Sequence, residues 1–205
     1  WQLGVYGGWA SGGAFVEGYA GFGWLDYDID RPAVIDDIAA EADGNGFTAG
    51  GQAGYLFDLG GIRAGPVIGA RYAEADLDGY TETGDPVLTL NVEDQELTSL
   101  IGSAGIEARG EFDSGGLAIR PYATAALERE FEGDERTIRY AFTAAPGIVN
   151  QWVLPERDDD IYGRITAGVN FDLGDTVQLQ VNGTASVARD DGNDMGGFLA
   201  LRLGF

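Results

Sequence analysis

The chain has 205 residues, with Lys+Arg 12 against Asp+Glu 34, a formal net charge of −22. It holds no Cys and no His, and every basic residue is Arg, which excludes disulfide frameworks, thiolate nucleophiles, Ser-His-Asp catalysis, His-ligated zinc and a histidine general base. Such acidity argues against nucleic acid as a partner, no apolar run reaches the roughly 18 residues of a membrane helix, and 34 glycines with 11 % aromatics point to many strands and turns.

Period-2 alternation recurs along the whole chain. Trp1, Leu3, Val5 and Trp9 alternate with Gln2 and Tyr6. Ala14, Val16, Ala20, Phe22 and Trp24 then face away from Glu17 and Tyr19, and Phe15 breaks the pattern. In 47–57, Phe47, Ala49, Ala53, Tyr55 and Phe57 oppose Thr48 and Gln52. In 62–72, Ile62, Ala64, Pro66, Ile68, Ala70 and Tyr72 oppose Arg63, Val67 and Arg71. In 99–111, Leu100, Ala104, Ile106 and Ala108 oppose Ser99, Ser103, Glu107, Arg109 and Glu111. In 117–127, Leu117, Ile119, Pro121, Ala123, Ala125 and Leu127 oppose Arg120, Tyr122 and Thr124. In 161–173, Ile161, Ile165, Ala167, Val169, Phe171 and Leu173 oppose Tyr162, Arg164, Thr166, Asn170 and Asp172. In 177–187, Val177, Leu179, Val181, Ala185 and Val187 oppose Gln178, Gln180, Asn182, Thr184 and Ser186. The last segment sets Met195, Leu199, Leu201, Leu203 and Phe205 against Phe198 and Arg202.

These nine strands alternate short connections (Ser11–Gly13, Asp58–Gly61, Phe112–Gly116, Gly174–Thr176) with longer acidic ones (29–45, 77–95, 132–158 and the shorter Asp190–Asp194). A meander would put the short turns at one end and the long loops at the other, the asymmetry of an outer-membrane barrel. Alternation also describes a soluble sandwich or a lipocalin-like barrel with an apolar interior. Three features separate the two. The strands run to about 11 residues or more, against the usual 5–6 of globular strands. Aromatics stand near the strand ends (Trp1, Trp9, Trp24, Tyr55, Phe57, Tyr72, Phe171, Phe205), as in an interfacial girdle. Charges of both signs occupy mid-strand polar positions. In lipid every backbone group must be paired, so the sheet closes and turns its apolar side outward. The expected fold is therefore all-β, a transmembrane antiparallel up-and-down β-barrel.

On that reading the polar face lines a hydrated lumen: Gln2, Tyr6, Glu17, Gln52, Arg63, Arg71, Glu107, Arg109, Glu111, Arg120, Tyr122, Glu128, Arg164, Asn170, Gln178, Gln180, Asn182 and Arg202. Gly21, Gly23, Gly50, Gly54, Gly69 and Gly168 on the same face leave room for a guest. Leu201, Leu203 and Phe205 form a terminal pattern resembling the outer-membrane assembly signal. No catalytic set, metal site or cofactor emerges. Glu107 with Glu111 and Glu128 with Glu130 read as lumen charge balanced by arginine rather than a hydrolytic carboxylate pair. Asp26, Asp28, Asp30 and Asp37 echo a calcium loop, but Arg31 stands where glycine is needed. Asp158–Asp160, Asp190, Asp191 and Asp194 read as solvated loop ends, open to divalent bridging with lipopolysaccharide. Within 132–158, Thr137–Phe142 and Val149–Leu154 alternate and predict a β-hairpin that guides an emerging chain or protects the pore mouth.

Several stretches carry a family resemblance: Gly21-Phe-Gly-Trp-Leu-Asp-Tyr-Asp-Ile-Asp-Arg31, Gly65-Pro-Val-Ile-Gly-Ala-Arg-Tyr72, Leu77-Asp-Gly-Tyr80, Asp94-Gln-Glu-Leu-Thr-Ser-Leu-Ile-Gly-Ser103, Ile119-Arg-Pro-Tyr122 and Ala188-Arg-Asp-Asp-Gly-Asn193. In order and spacing they resemble the translocator of autotransporters, the type V secretion systems, and in particular the GDSL-type esterase autotransporters. The resemblance implies a bacterial outer-membrane location, a twelve-stranded barrel, a linker helix through the lumen and a secreted N-terminal passenger. Nine strands are then expected to be the last nine of twelve, residues 1–205 forming one barrel domain with the remaining strands and the passenger upstream. Gly174-Asp175-Thr176-Val177 echoes the GDSL motif without its serine, so no catalysis is expected in this chain. The implied partners are membrane lipid and lipopolysaccharide, the barrel assembly machinery, and the protein's own passenger and linker helix. The competing expectation is a stand-alone pore or surface adhesin.

Overall fold

A computed structural model describes residues 1–132, 136–154, 160–174, 176–190 and 192–203. The regular elements in them are strands: β1 (Gln2–Ser11), β2 (Ala14–Arg31), β3 (Ile38–Tyr55), β4 (Phe57–Asp58), β5 (Ile62–Leu77), β6 (Tyr80–Thr81), β7 (Leu90–Val92), β8 (Gln95–Gly110), β9 (Phe112–Ser114), β10 (Leu117–Glu132), β11 (Arg136–Phe142), β12 (Val149–Leu154), β13 (Tyr162–Leu173), β14 (Val177–Val187) and β15 (Met195–Leu203). The nine long strands pair in the order β1-β2-β3-β5-β8-β10-β13-β14-β15, with β4 on β5 and β9 on β10. Each joins its sequence neighbour antiparallel, so the sheet is a meander that curls into a half-barrel. These nine are the nine alternating segments of the sequence.

Three of the short turns are paired glycines, Gly12-Gly13, Gly60-Gly61 and Gly115-Gly116, all with φ between 57° and 96°. Positive φ at both central positions gives the primed turn whose twist matches the flanking strands. Glycine adopts it without the steric penalty a Cβ would bring.

At the other end β2, β3, β5, β8 and β10 run for 16 to 18 residues. A tilted membrane strand needs about 9–11, so each of these strands is several residues longer than a span requires. The expected loop 29–45 is accordingly much shorter. β2 continues to Arg31 and β3 begins at Ile38, leaving 32–37 as the connection. Most side chains of this extension are exposed or half-exposed, with Ile38 and Ala42 buried, so the apolar alternation of the wall gives way while the backbone ladder continues. The same pairing disposes of the calcium-loop reading, because Asp26, Asp28 and Asp30 stand on an extended strand opposite Asp43, Glu41 and Ala39.

The long connections build a second sheet, β12-β11-β7-β6. It contains the expected hairpin, with Tyr140 opposite both Asn150 and Val92. The sheet is fastened to the β2–β3 extension. Ala39 and Thr83 exchange backbone hydrogen bonds of 2.9 and 3.0 Å, and Arg31 Nε and Nη2 donate to the two carboxylate oxygens of Glu82 at 3.0 and 2.6 Å. Asp85, 1 % exposed, accepts the backbone N–H groups of Ile35, Val87 and Leu88. Ile38, Ala42, Val92 and Ala141 are buried in this region.

Candidate pore-lining face

Register carries the alternation from strand to strand. Glu17 lies opposite Gln52, Gln52 opposite Gly69, Gly69 opposite Ser103, and Ser103 opposite Glu128. A parallel row on the other face runs Val16, Ala53, Ile68, Ala104, Leu127. The adjacent residues Leu127 and Glu128 show the outcome: leucine is 61 % exposed and glutamate 5 %. Apolar side chains point out of the convex face and ionic ones crowd the concave face, the reverse of a soluble sandwich.

The concave cavity, of about 590 Å³, is lined by Glu17, Gln52, Arg63, Arg71, Glu107, Arg109, Glu111, Arg120, Tyr122, Glu128, Arg164, Asn170 and Gln180, together with Ser103, Thr124 and Thr166. Gln178, Asn182 and Arg202 share the face by register but lie outside this cavity, on β14 and β15. Gln2 and Tyr6 share it on β1, opposite Gly23 and Tyr19.

Two ionic clusters cross the strands. Toward the long-loop end, Glu128 Oε2 accepts from Arg71 at 3.1 Å and from Arg164 at 2.6 Å, and Arg164 continues to Asp194 at 3.2 Å. Arg189 meets the second Asp194 oxygen at 3.2 Å. The Arg164 hydrogen bond holds the Asp194 carboxyl below the usual carboxylate range. Asp194 is the exposed loop acid expected from sequence, and it also closes the cluster by pairing with Arg164 and Arg189. Toward the short-turn end, Arg109 pairs with Glu107 and, at 3.3 Å, with Glu17, to which Gln52 also donates. Arg120 pairs with Glu111 at 3.4 Å and with Asp172. The exposed pairs, such as Arg120 with Glu111, are each worth about 0–1 kcal/mol, whereas Glu107 and Glu128 are buried and depend on their arginines. Together these pairs balance charge on the inner face, while the acids of 26–43 and 74–96 lie toward the long-loop end.

Three of the inner glycines do not leave space for a guest. A Cβ on Gly50 would come within 2.8 Å of the Tyr19 ring, on Gly54 within 2.6 Å of Phe15, and on Gly168 within 2.7 Å of Tyr122. Aromatic rings of the neighbouring strands already fill those positions. Phe15, the break in the sequence pattern, turns inward and is 5 % exposed.

On the convex side, aromatics form rows at both ends of the wall. Phe22 and Trp24 are 4.8 Å apart between ring centroids, Phe47 and Tyr72 6.2 Å, and Tyr55 and Phe57 4.9 Å. Beyond Tyr72, Glu74, Asp76 and Glu96 bring carboxylate oxygens within 4.8 Å of one another. Tyr72 Oη donates to Glu74 at 2.5 Å. Leu201 and Leu203 are exposed on β15. Phe205, Asp158, Asp159, Asp175 and Asp191 lie outside the described residues.

This inside-out wall with girdle rows matches what a family comparison finds. The model of the family described as Autotransporter beta-domain matches residues 1–184. The chain belongs to the autotransporter β-domain family. It is an outer-membrane translocator barrel. Curated relatives include Esterase EstA of Pseudomonas aeruginosa and Esterase EstA of Pseudomonas putida, each 27% identical over 192 residues. The match covers 89% of this chain and 29% of each relative, so the chain spans less than a third of their length. By name they fall in the esterase group that the motifs resembled.

Proposed function

We propose that this barrel anchors an N-terminal passenger at the outer membrane and supports its passage to the cell surface. The single observation that carries the reading is the reversed wall: apolar residues exposed around the convex face, arginine and glutamate collected on the concave one. A hydrated, charge-balanced surface holds a linker by hydrogen bonds and ion pairs without gripping an extended chain. The lumen is lined by the residues of the concave cavity together with Gln178, Asn182 and Arg202. Further strands from upstream pair with the free edges of β1 and β15 and close the barrel. Leu201, Leu203 and Phe205 present the pattern read by the assembly machinery, and the outward rows meet lipid and lipopolysaccharide. The chain itself is noncatalytic. Any ester hydrolysis of the kind in the relatives' name belongs to the passenger, since this sequence has no histidine to activate a serine.

The test is to replace everything upstream of the barrel's strands by an epitope-tagged reporter and assay whole cells with external protease. Surface cleavage of the reporter, with the barrel showing the gel shift of a folded outer-membrane protein, is the expected result. A reporter retained in the periplasm beneath a normally folded barrel overturns the reading.

A further inference from the structure

The inside-out rule of the wall has an exception. Arg63, Arg71, Arg109, Arg120, Arg164 and Arg202 share the concave register. Arg129 is exposed on the opposite face. It stands between Leu127 and Phe131, which are 61% and 62% exposed, near the long-loop end of β10.

Its surroundings are built for it. Glu130 pairs with Ile101 and Glu132 with the adjacent Leu100, so Phe131 is the extra residue of a β-bulge. Bulges re-aim side chains, and here the ring comes down over the neighbouring strand. A Cβ on Gly102 would stand 2.7 Å from the Phe131 ring, so only glycine leaves the ring its seat. The Arg129 guanidinium carbon lies 5.6 Å from the ring centroid, a cation set against an aromatic platform. From Gly102 the outward register continues through Ala70, Gly51 and Gly18. These residues make an apolar strip without long side chains. From Arg129 to Gly18 it crosses four strand spacings, roughly 19 Å at about 4.8 Å each, against the roughly 15 Å of hydrocarbon in one leaflet.

An arginine turned to lipid is costly at the bilayer midplane and well tolerated at the interface. There it attracts anionic headgroups, and its fork of five N–H donors fits a phosphate. Glu74, Asp76 and Glu96 on β5 and β8 repel a phosphate, so Arg129 fixes where one can approach. The long-loop end of an outer-membrane barrel is the exterior one, and the anionic lipid of that leaflet is lipopolysaccharide.

We propose that Arg129 and Phe131 form a docking site for lipopolysaccharide, with a headgroup phosphate on the guanidinium and one acyl chain along the strip from Gly102 to Gly18. This rests on the convex face meeting lipid, which is part of the function proposed above.

The full-length protein is refolded in detergent micelles and titrated with fluorescently labelled lipopolysaccharide, for the parent, Arg129→Gln, Arg129→Lys, Phe131→Ala and Arg139→Gln. Arg129→Gln is expected to weaken binding about fivefold and Phe131→Ala about threefold. Arg129→Lys should keep most of the affinity, and Arg139→Gln, in the outer sheet, should match the parent. Parent-like binding by folded Arg129→Gln overturns the site, and so does an equal loss in Arg139→Gln, which marks a general charge effect. Equal competition by phosphatidylglycerol overturns the assignment to lipopolysaccharide. The heat-induced gel shift checks the folding of each variant, and should Arg129→Gln fail to fold, Phe131→Ala decides by the same comparison. A bimane label on Ile68→Cys, in a chain with no cysteine of its own, tests the lipid face separately in vesicles of brominated phosphatidylcholine. Quenching by the bromines establishes that face whatever happens at Arg129. A label that stays bright removes the lipid face, and the docking site with it.

Discussion

The barrel wall and the outer sheet are made by the same chain and buried by opposite rules. In the outer sheet and the strand ends beneath it the core is apolar. Ile38 is fully buried, and the buried acid Asp85 is satisfied by three backbone N–H groups. In the wall the buried side chains include Glu107 and Glu128, while Ile106, Ile68 and Leu199 stand out from the surface. Solvent explains the difference. The outer sheet is surrounded by water, so apolar area is driven inward. On the proposed function the wall faces hydrocarbon outside and water within, so lipid replaces the core as the place where apolar side chains are stable. Exposure alone is therefore no guide to a residue's environment in this molecule.

Ile106 and Ile148 make the sharpest test, because they are 65% and 66% exposed in the two different settings. Ile106→Arg on the lipid side should cost about 2–4 kcal/mol and block assembly, whereas Ile148→Arg in the outer connection should stay within about 0.5 kcal/mol. Folding into detergent or lipid vesicles, followed by urea titration, measures both. Equal effects would erase the distinction between the regions.

A smaller loss is expected inside the wall. Glu128→Ala strands the guanidinium groups of Arg71 and Arg164 and should destabilise the barrel by about 1–3 kcal/mol. Removing Arg164 as well should add less than its separate effect, which a double-mutant cycle of heat-shift midpoints would resolve.

The outer sheet should respond independently. Asp85→Ala removes the acceptor shared by Ile35, Val87 and Leu88. Amide exchange in that connection should quicken by about tenfold, with β8, β10 and β13 unchanged. Spread of the effect into those strands would show that the two regions open as one unit.

The gentlest probe is acid. The Val87 backbone hydrogen bond, followed by those from Ile35 and Leu88, holds the Asp85 carboxyl below its ordinary value. A depressed carboxylate contributes stability that is fully present above the unfolded-state value, near 3.9, and is lost as pH falls through the lower native value. Exchange protection of residues 85–88 should therefore be flat from neutral pH down to about 4 and fall only in stronger acid. Asp85→Ala should show no such step.

Much of this architecture was legible in the residues. Nine alternating segments became nine paired strands because the inner and outer faces meet different solvents along their whole spanning length, and period-2 patterning reports that contrast. The candidate lumen residues shared one face for the same reason, since a strand has only two. The signal failed where the contrast failed. Asp26 to Asp30 are largely exposed, and Ile38 and Ala42 are buried in the outer region rather than in the alternation of the wall, so this pairing left no wall-like period-2 trace. The pairing of the loop acid Asp194 was not legible because its partners, Arg164 and Arg189, come from a different strand and from the preceding connection. Gly50, Gly54 and Gly168 read as empty space, since nothing local says that Tyr19, Phe15 and Tyr122 on adjacent strands will lie over them.

The sequence by itself determined which side of each strand is apolar, because the alternation of apolar and polar residues is a local property of the chain. It also determined where the tight turns fall, through paired glycines that tolerate positive φ. Only the tertiary structure decided which arginine meets which glutamate, how the long connections knit into a second sheet, and that Phe15 is sealed under Arg109. Those outcomes depend on strand register and on contacts between residues far apart in the chain, and no local pattern encodes a distance between strands.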